Sequence, residues 1–217
     1  MLDFTQARQM MVDGQLRPTG VTDLDVLAAM RDIPRERFVP AALASVAYLD
    51  RDILVDPKRA LLKPMALARL IQAADVRPSD RVLDVACGSG YSSAVLARLA
   101  ATVTALEDDA ERSRRCVDTL TQLGLTSVKV VCGPLDAGWP AGAPYDVILV
   151  NGACEVEPHG LFRQLAEGGR LICIMGTGPD PKATVYRLDR GEIGRRTLFD
   201  AAAPALPAFI KPAAFVF

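Results

Sequence analysis

The feature that most constrains this chain is a glycine turn between a buried strand and a helix. Residues 81–87 form an apolar run that contains one acid, Asp84, and the run ends at Gly88 and Gly90. Residues 91–99 have a helix-compatible composition. A strand, a tight glycine turn and a crossover helix are where α/β proteins hold nucleotide-like ligands, so this segment predicts a ligand site.

A second acid sharpens that prediction. The next apolar run, 101–106, ends at Glu107, and an acid at the tip of that strand can accept both hydrogen bonds of a ribose diol. A dinucleotide turn has a third glycine where this chain has Ser93. Asp84 suits a ligand with a cationic amino group near the turn, as S-adenosylmethionine has. An adenosine cofactor is therefore favoured over a generic turn, and S-adenosylmethionine over a nicotinamide.

Strands and helices alternate after residue 78, which predicts an α/β fold with a doubly wound parallel sheet. The predicted strands are 81–87, 102–107, 128–132, 145–150 and 170–175, and the predicted helices are 91–99, 109–123 and 158–166. Three segments that follow, 183–188, 195–199 and 213–217, are predicted as an antiparallel pair and a last edge strand.

The first part of the chain is predicted to be a helical lobe. A capping box at 22–25 opens a helix over 24–31, Pro64 starts a helix over 65–74, and 50–59 looks irregular. No linker-like stretch separates the parts. We therefore expect one domain, 1–217, with a helical lobe (1–77) and an α/β core with antiparallel C-terminal strands (78–217).

The charge and cysteine counts exclude several classes. Lys and Arg number 25 against 26 Asp and Glu, with no basic cluster, which argues against nucleic-acid or membrane partners. The single histidine, His159, excludes a site of several His ligands, so no metal is expected, and His159 is predicted at the surface. Five cysteines without CxxC spacing, a start without a signal pattern and no membrane-spanning run predict a cytoplasmic protein.

Segments along nearly the whole chain resemble the protein-L-isoaspartate O-methyltransferases. Residues 34–40 (PRERFVP) are similar to the specific Pro-Arg-x-x-Phe-Val-Pro signature of that family. The other matching segments are 11–16 (MVDGQL), 26–30 (VLAAM), 47–50 (AYLD), 82–91 (VLDVACGSGY) and 164–171 (QLAEGGRL). The resemblance implies a seven-stranded Rossmann-like sheet, S-adenosylmethionine as cofactor with S-adenosylhomocysteine as product, and repair of isoaspartyl proteins by carboxyl methylation.

The resemblance also assigns site residues by position. The methionine end of the cofactor would lie on the segment that follows the first core strand, and the ribose would lie on the acid after the second. The loop 133–135 would flank the adenine. The cofactor-binding residues implied in this way are Asp84, Ala86, Gly88, Ser89, Gly90, Glu107, Asp108, Gly133, Pro134 and Leu135.

Two departures from the family pattern affect these assignments. Where the family has Gln-Thr-Ile-Ser-Gln-Pro, residues 59–64 are RALLKP, so Leu62 stands at the hydroxyl position of the reacting centre. Leucine donates no hydrogen bond. The family's Gly-Asp-Gly is residues 133–135 (GPL), so Pro134 removes an acceptor and a backbone N–H. The first change bears on the chemistry and the second on cofactor affinity.

Other residues are candidates to compensate. Methyl transfer to an ionised carboxylate needs alignment rather than a general base. Lys63, Arg59 or Lys58 could bind the substrate carboxylate, although a solvated basic loop is the favoured interpretation. Asn151, at the tip of the fourth core strand, is an equally balanced candidate for facing substrate or capping a turn.

Three hypotheses follow. The first is an isoaspartyl methyltransferase, for which Leu62, Lys63 and Asn151 are the candidate catalytic residues. The second is a methyltransferase of the same fold on a less polar, small acceptor, for which Glu155 and Glu157 are candidate bases. The third is a cofactor-binding protein without catalytic activity. A nicotinamide oxidoreductase is a distant fourth.

Overall fold

The computed structural model describes residues 3–211, which form six α-helices and nine strands with short 3-10 and π turns between them. The helices are α1 (Phe4–Met11), α2 (Leu24–Asp32), α3 (Pro64–Ala74), α4 (Tyr91–Leu96), α5 (Ala110–Gln122) and α6 (His159–Phe162). The strands are β1 (Ile53–Asp56), β2 (Arg59–Leu61), β3 (Arg81–Val85), β4 (Thr102–Glu107), β5 (Val128–Cys132), β6 (Tyr145–Cys154), β7 (Leu165–Met175), β8 (Lys182–Asp189) and β9 (Glu192–Asp200).

Seven strands form the central sheet, in the order β5-β4-β3-β6-β7-β8-β9. The strands from β3 to β7 are parallel, and β8 and β9 join antiparallel, as the sequence predicted. Apolar clusters cover the sheet on both faces, and one of them includes the N-terminal helices. The strand order reverses beside β3, which pairs with both β4 and β6. A crevice at the carboxyl end of strands at such a switch point is where open α/β sheets bind ligands.

The helix starts follow local capping rules, with one correction. Pro64 occupies the first turn of α3, as predicted. Helix α2 begins at Leu24, but its cap is Asp23 rather than Thr22, because the Asp23 carboxylate accepts from the backbone N–H groups of Asp25 and Val26. The predicted helix 158–166 is reduced to the single turn α6, since β7 already begins at Leu165.

The largest error of the sequence prediction is the segment 50–59. It is not irregular: β1 and β2 form an antiparallel hairpin in which Ile53 pairs with Leu61 and Leu54 with Ala60. These two strands make a separate two-stranded sheet. We call residues 53–61 the hairpin. Its short strands and Pro57 gave no clear alternating pattern, which is why the sequence did not reveal it.

The segment after β9 lies along the end of β6 rather than along a sheet edge. Ala153 N donates to Pro204 O at 2.9 Å, Leu206 N donates to Ala153 O at 3.0 Å, and the Leu206 side chain fills the space left by Gly152. The strand predicted at 213–217 lies outside the described residues. Within residues 3–211, no helix is both long and apolar enough to cross a membrane.

Candidate cofactor site

The turn after β3 has the backbone that its glycines permit. Gly88 and Gly90 have φ values of +60° and +91°, and Gly90 caps the start of α4. A Cβ at Gly90 would lie only 2.7 Å from Cys116 Sγ on α5, so no side chain fits there. Ala86 also has a positive φ, +59°, which an L-residue with a Cβ adopts at a cost of about 1–2 kcal/mol.

Asp84 lies beneath this turn in a closed hydrogen-bond network. Its carboxylate is fully buried and accepts from Ser92 Oγ at 2.7 Å, Ser93 Oγ at 2.5 Å and Asn151 Nδ2 at 2.6 Å. Burial raises the pKa of Asp84 to about 6, although these donors oppose the shift. Ser92 and Ser93 were missed by the sequence analysis, although a buried acid requires donors and the serines of the following helix were available.

This network changes the interpretation of Asp84 and Asn151. Both were predicted to face ligands, and the structure pairs them with each other. Asn151 also donates to Val85 O at 3.2 Å and is 8% exposed. A direct contact of Asp84 with a cofactor therefore stays a prediction.

Glu107 stands at the carboxyl end of β4, beside the turn, and is also fully buried. It accepts from Gly88 N at 2.7 Å and from two guanidinium groups, Arg59 Nε at 2.9 Å and Arg112 Nε at 3.1 Å. The neighbouring Asp108 accepts from Arg59 Nη2 at 2.7 Å and Arg112 Nη2 at 2.5 Å. Two carboxylates and two guanidiniums thus form one cluster at the predicted ribose position.

The opposite charges in this cluster shift the pKa values of Asp108 and Arg112. Partial burial would raise the pKa of Asp108, but the hydrogen bond from Arg112 and the charge of Arg59 hold it below its ordinary value. Burial would lower the pKa of Arg112, and the hydrogen bond to Asp108 and the charge of Glu107 raise it instead. The cluster therefore favours the charged forms of Asp108 and Arg112.

Arg59 corrects the expectation of a solvated basic loop. It is only 2% exposed, and its guanidinium reaches from β2 to the end of β4. Lys58 stays exposed at the tip of the hairpin. Lys63 precedes α3, where its backbone N–H donates to Asp52 Oδ1 at 2.7 Å. The sequence analysis named Arg59 only as an alternative ligand for the substrate carboxylate, and it missed Arg112 entirely.

The hairpin closes the crevice above the turn. The space between them is a cavity of about 10 Å³, which is room for one water molecule. A second pocket, of about 290 Å³, lies beside it and is lined by Val55, Asp56 and Arg112 among others. The small cavity is lined by Ala60, Leu61, Leu62, Leu67, Ala86, Cys87, Gly88, Ser89, Ser92 and Asn151, and both spaces share Gly88 and Ser89.

Leu62 is part of the wall of the small cavity and is 3% exposed. Its carbonyl accepts from Arg35 Nη2 at 2.7 Å, and Arg35 Nε donates to Ala47 O at 2.7 Å. Arg35 is fully buried and lies 4.8 Å from the centre of the Tyr91 ring. This arginine of the PRERFVP segment therefore connects the predicted reacting centre, at Leu62, with the first turn of α4 in the core.

The predicted adenine loop follows β5. Gly133 N donates to Glu107 O at 2.8 Å, which places the loop beside the acidic cluster. Pro134 is exposed and Leu135 is buried. Trp139 packs beside Gly133, 3.5 Å from where a Cβ would stand. The loop therefore lies near the end of β4, and its contact with adenine stays a prediction.

The remaining candidates lie away from the small cavity. Glu155 accepts from Thr177 Oγ1 at 2.5 Å, and Glu157 accepts from Tyr186 Oη at 3.1 Å. Neither lines the cavity, so the suggestion that they act as bases has no support from their position. His159 is exposed at the start of α6, as predicted.

Comparisons with known proteins agree on one family. The model of the family described as protein-L-isoaspartate(D-aspartate) O-methyltransferase (PCMT) matches residues 6–200. The chain is 42% identical to a protein-L-isoaspartate O-methyltransferase of Gloeobacter violaceus, over 87% of this chain and 93% of that protein. It is 43% identical to one of Methylorubrum extorquens, over 87% of this chain and 81% of that protein.

Solved structures show the same fold. A protein-L-isoaspartate O-methyltransferase structure superposes with a TM-score of 0.79 and 25% identity, over 91% of this chain and 65% of the chain in that structure. A Plasmodium falciparum β-aspartate methyltransferase, solved in complex with S-adenosyl-L-homocysteine, superposes with a TM-score of 0.77 and 19% identity. It covers 96% of this chain and all of that one, which supports the fold alone.

Proposed function

The chain belongs to the protein-L-isoaspartate O-methyltransferase family, and we propose that it transfers the methyl group of S-adenosylmethionine to the α-carboxylate of an isoaspartyl residue in a damaged protein. The observation that carries this proposal is the meeting of Gly88 N and Glu107 Oε1, 2.7 Å apart, at the switch point of the sheet. A glycine turn and a buried carboxylate at this place are the groups that an adenosine ligand requires.

The donor chemistry of the site fits the cofactor. Ser89 Oγ is buried and has no hydrogen-bond partner among the described residues, and it belongs to the turn between the two cavities. Gly88, Ser89 and Gly90 would hold the methionine end, Glu107 and Asp108 the ribose, and residues 133–135 would flank the adenine. When bound, the cofactor supplies a methyl group on a positively charged sulfur, which a carboxylate can attack.

The proposed roles of the other residues concern positioning. The acceptor carboxylate is ionised at neutral pH, so the chain needs no general base for it and must instead align it and remove its water. Leu62 contributes an apolar wall, and Asn151 offers a polar edge that Asp84 orients. Lys63, with Lys58 as an alternative, would bind the anionic substrate as a point charge.

A second candidate function rests on Leu62. Its burial in an apolar wall with Leu61 would suit an acceptor less polar than a peptide carboxylate, such as a small molecule. The further alternative, cofactor binding without catalysis, draws on the same residue and on the exposed Pro134. Both alternatives keep the cofactor site and change only what is done with it.

We also propose a cytoplasmic location and a single domain. All five cysteines lie within the described residues and are free thiols, which suits a reducing compartment. The position of Arg35 over the Tyr91 ring and the apolar cluster shared by the lobe and the sheet support one folding unit. Cell fractionation tests the first of these proposals and a single unfolding transition the second.

The experiment that tests the activity is methyl transfer from tritiated S-adenosylmethionine to an isoaspartyl peptide, with the matching aspartyl peptide as control. We expect label on the isoaspartyl peptide alone, released as methanol in mild base as a carboxyl methyl ester is. Cofactor binding without transfer to either peptide would redirect the proposal to another acceptor. The absence of both binding and transfer would contradict it.

A further inference from the structure

The hairpin places one arginine inside the predicted ribose subsite. Arg59 Nε lies 2.9 Å and 3.2 Å from the two carboxylate oxygens of Glu107, its Nη2 donates to Asp108, and its Nη1 donates to Lys58 O at 2.8 Å. Every nitrogen of the guanidinium is therefore engaged. The side chain is 1% exposed, so these bonds are shielded from water.

Glu107 has no acceptor capacity left for a ligand. A carboxylate offers about four lone-pair sites. Oε1 accepts from Arg59 and Gly88 N, and Oε2 accepts from Arg59, Arg112 Nε and Asp108 N. A ribose diol could reach this carboxylate only if one of these donors left. Arg59 donates to both carboxylate oxygens, and it is the one donor that belongs to the separate two-stranded sheet.

The hairpin is a separate element that packs on the core through the buried side chains of Ile53 and Leu61. Its two strands pair with each other and belong to no larger sheet, and an isolated two-stranded hairpin is marginally stable. What ties it to the core at this end is the Arg59 cluster together with the ion pair between Asp56 and Arg112, at 3.4 Å. The cavity of about 10 Å³ beneath it is too small for a cofactor, and the neighbouring pocket of about 290 Å³ shares Gly88 and Ser89 with it.

We propose that Arg59 determines the cofactor affinity of this chain by occupying the ribose subsite, and that an adenosine cofactor binds by displacing it. This inference rests on the proposed function, since it takes Glu107 as the ribose ligand. The affinity for the cofactor is then the intrinsic affinity multiplied by the fraction of molecules in which Arg59 has left Glu107. A neutral residue at position 59 raises that fraction.

The test is calorimetric titration with S-adenosylhomocysteine of the full chain and three variants. Arg59→Gln is expected to bind at least about tenfold more tightly than the wild type, because the competing guanidinium is gone. Arg59→Lys, which keeps the charge but loses the planar fork, is expected to fall between them. Arg98→Gln, which breaks a surface pair with Asp32 away from the site, is expected to bind like the wild type.

Each result of this titration supports or overturns the inference about Arg59. If folded Arg59→Gln binds S-adenosylhomocysteine no more tightly than the wild type, the inference is overturned. The proposed function stands in that case as long as the wild type itself binds. No binding by any folded variant would overturn both. Should Arg59→Gln fail to fold, Arg59→Lys decides by the same comparison: tighter binding than wild type supports the inference, and equal or weaker binding overturns it.

Discussion

The glycine turn and the hairpin face each other across the same cavity, but they are constrained in different ways. The turn is fixed by its backbone: Gly90 has a positive φ and no room for a Cβ beside Cys116. The hairpin side contributes side chains instead: Arg59 of the hairpin reaches Glu107, and Leu62, the residue after the hairpin, forms part of the apolar wall. The turn side of the site therefore depends on backbone geometry, whereas the hairpin side depends on the chemistry of individual side chains.

The two halves are joined through Glu107, and breaking that connection should have the largest effect. Glu107→Gln leaves Arg59 and Arg112 buried beside a neutral amide, and loss of one charge from a buried cluster typically costs about 3–5 kcal/mol. We expect the free energy of unfolding, measured in urea, to fall by that amount and S-adenosylhomocysteine binding to be lost. Glu111→Gln, on the exposed face of α5, is the control and should change little. Unaltered stability of Glu107→Gln would show that the cluster does not hold the hairpin.

The turn side can be tested through the protonation of Asp84. The pKa of Asp84 in the folded protein is about 6, above the ordinary value of 3.8. Between pH 3.8 and pH 6, the native state therefore keeps a proton on this carboxyl that the unfolded state has released. Stability from this group is therefore present at low pH and lost as the pH rises through 6. The loss is about 3 kcal/mol at 1.36 kcal/mol per pKa unit.

Asp84→Asn should remove this dependence. Between pH 3.5 and pH 7, the free energy of unfolding of the wild type should fall by about 3 kcal/mol relative to that of Asp84→Asn. Urea titrations across that range measure it. A difference that stays constant, or that moves in favour of the wild type, would contradict the assigned burial of the ionised carboxylate.

The hairpin side can be tested by returning a hydroxyl to the reacting centre. Leu62→Ser removes a buried leucine and should lower stability by at least about 2 kcal/mol. If Leu62 limits isoaspartyl methylation, turnover should rise, by at most about 10²–10³-fold, which is the effect of one well-placed donor. Leu54→Ser, at an exposed position of β1, is the matched control. Lower turnover in Leu62→Ser than in wild type would favour the less polar acceptor.

The smallest expected effect concerns Ala86, the one residue of the turn with a Cβ at positive φ. Ala86→Gly relieves the strain but adds chain entropy to the unfolded state, so a net gain of about 0.5–1 kcal/mol is expected. Ala97→Gly, at a φ of −66°, should lose stability instead. Thermal unfolding of both variants measures these two opposite changes in stability. A loss of stability in Ala86→Gly would show that the turn is not strained.

The turn and the hairpin also differ in how well the sequence predicted them. The turn, Glu107 and the parallel sheet follow from local signals, because apolar runs, glycines and strand-end acids lie within a few residues of one another. The ion pair of Arg59 and Glu107 joins residues 48 positions apart, and no periodicity reports such a contact. The hairpin itself has strands too short for an alternating pattern. Arg59 therefore appeared to be a solvated loop residue until its surroundings were seen.

The most direct test of the central claim is the crystal structure of the wild-type chain grown with S-adenosylhomocysteine. The account predicts that Glu107 accepts from the ribose and that Arg59 Nε has moved from 2.9 Å to beyond about 4 Å, the limit of an ion pair. A complex in which the cofactor product is bound while Arg59 and Glu107 remain paired would contradict it.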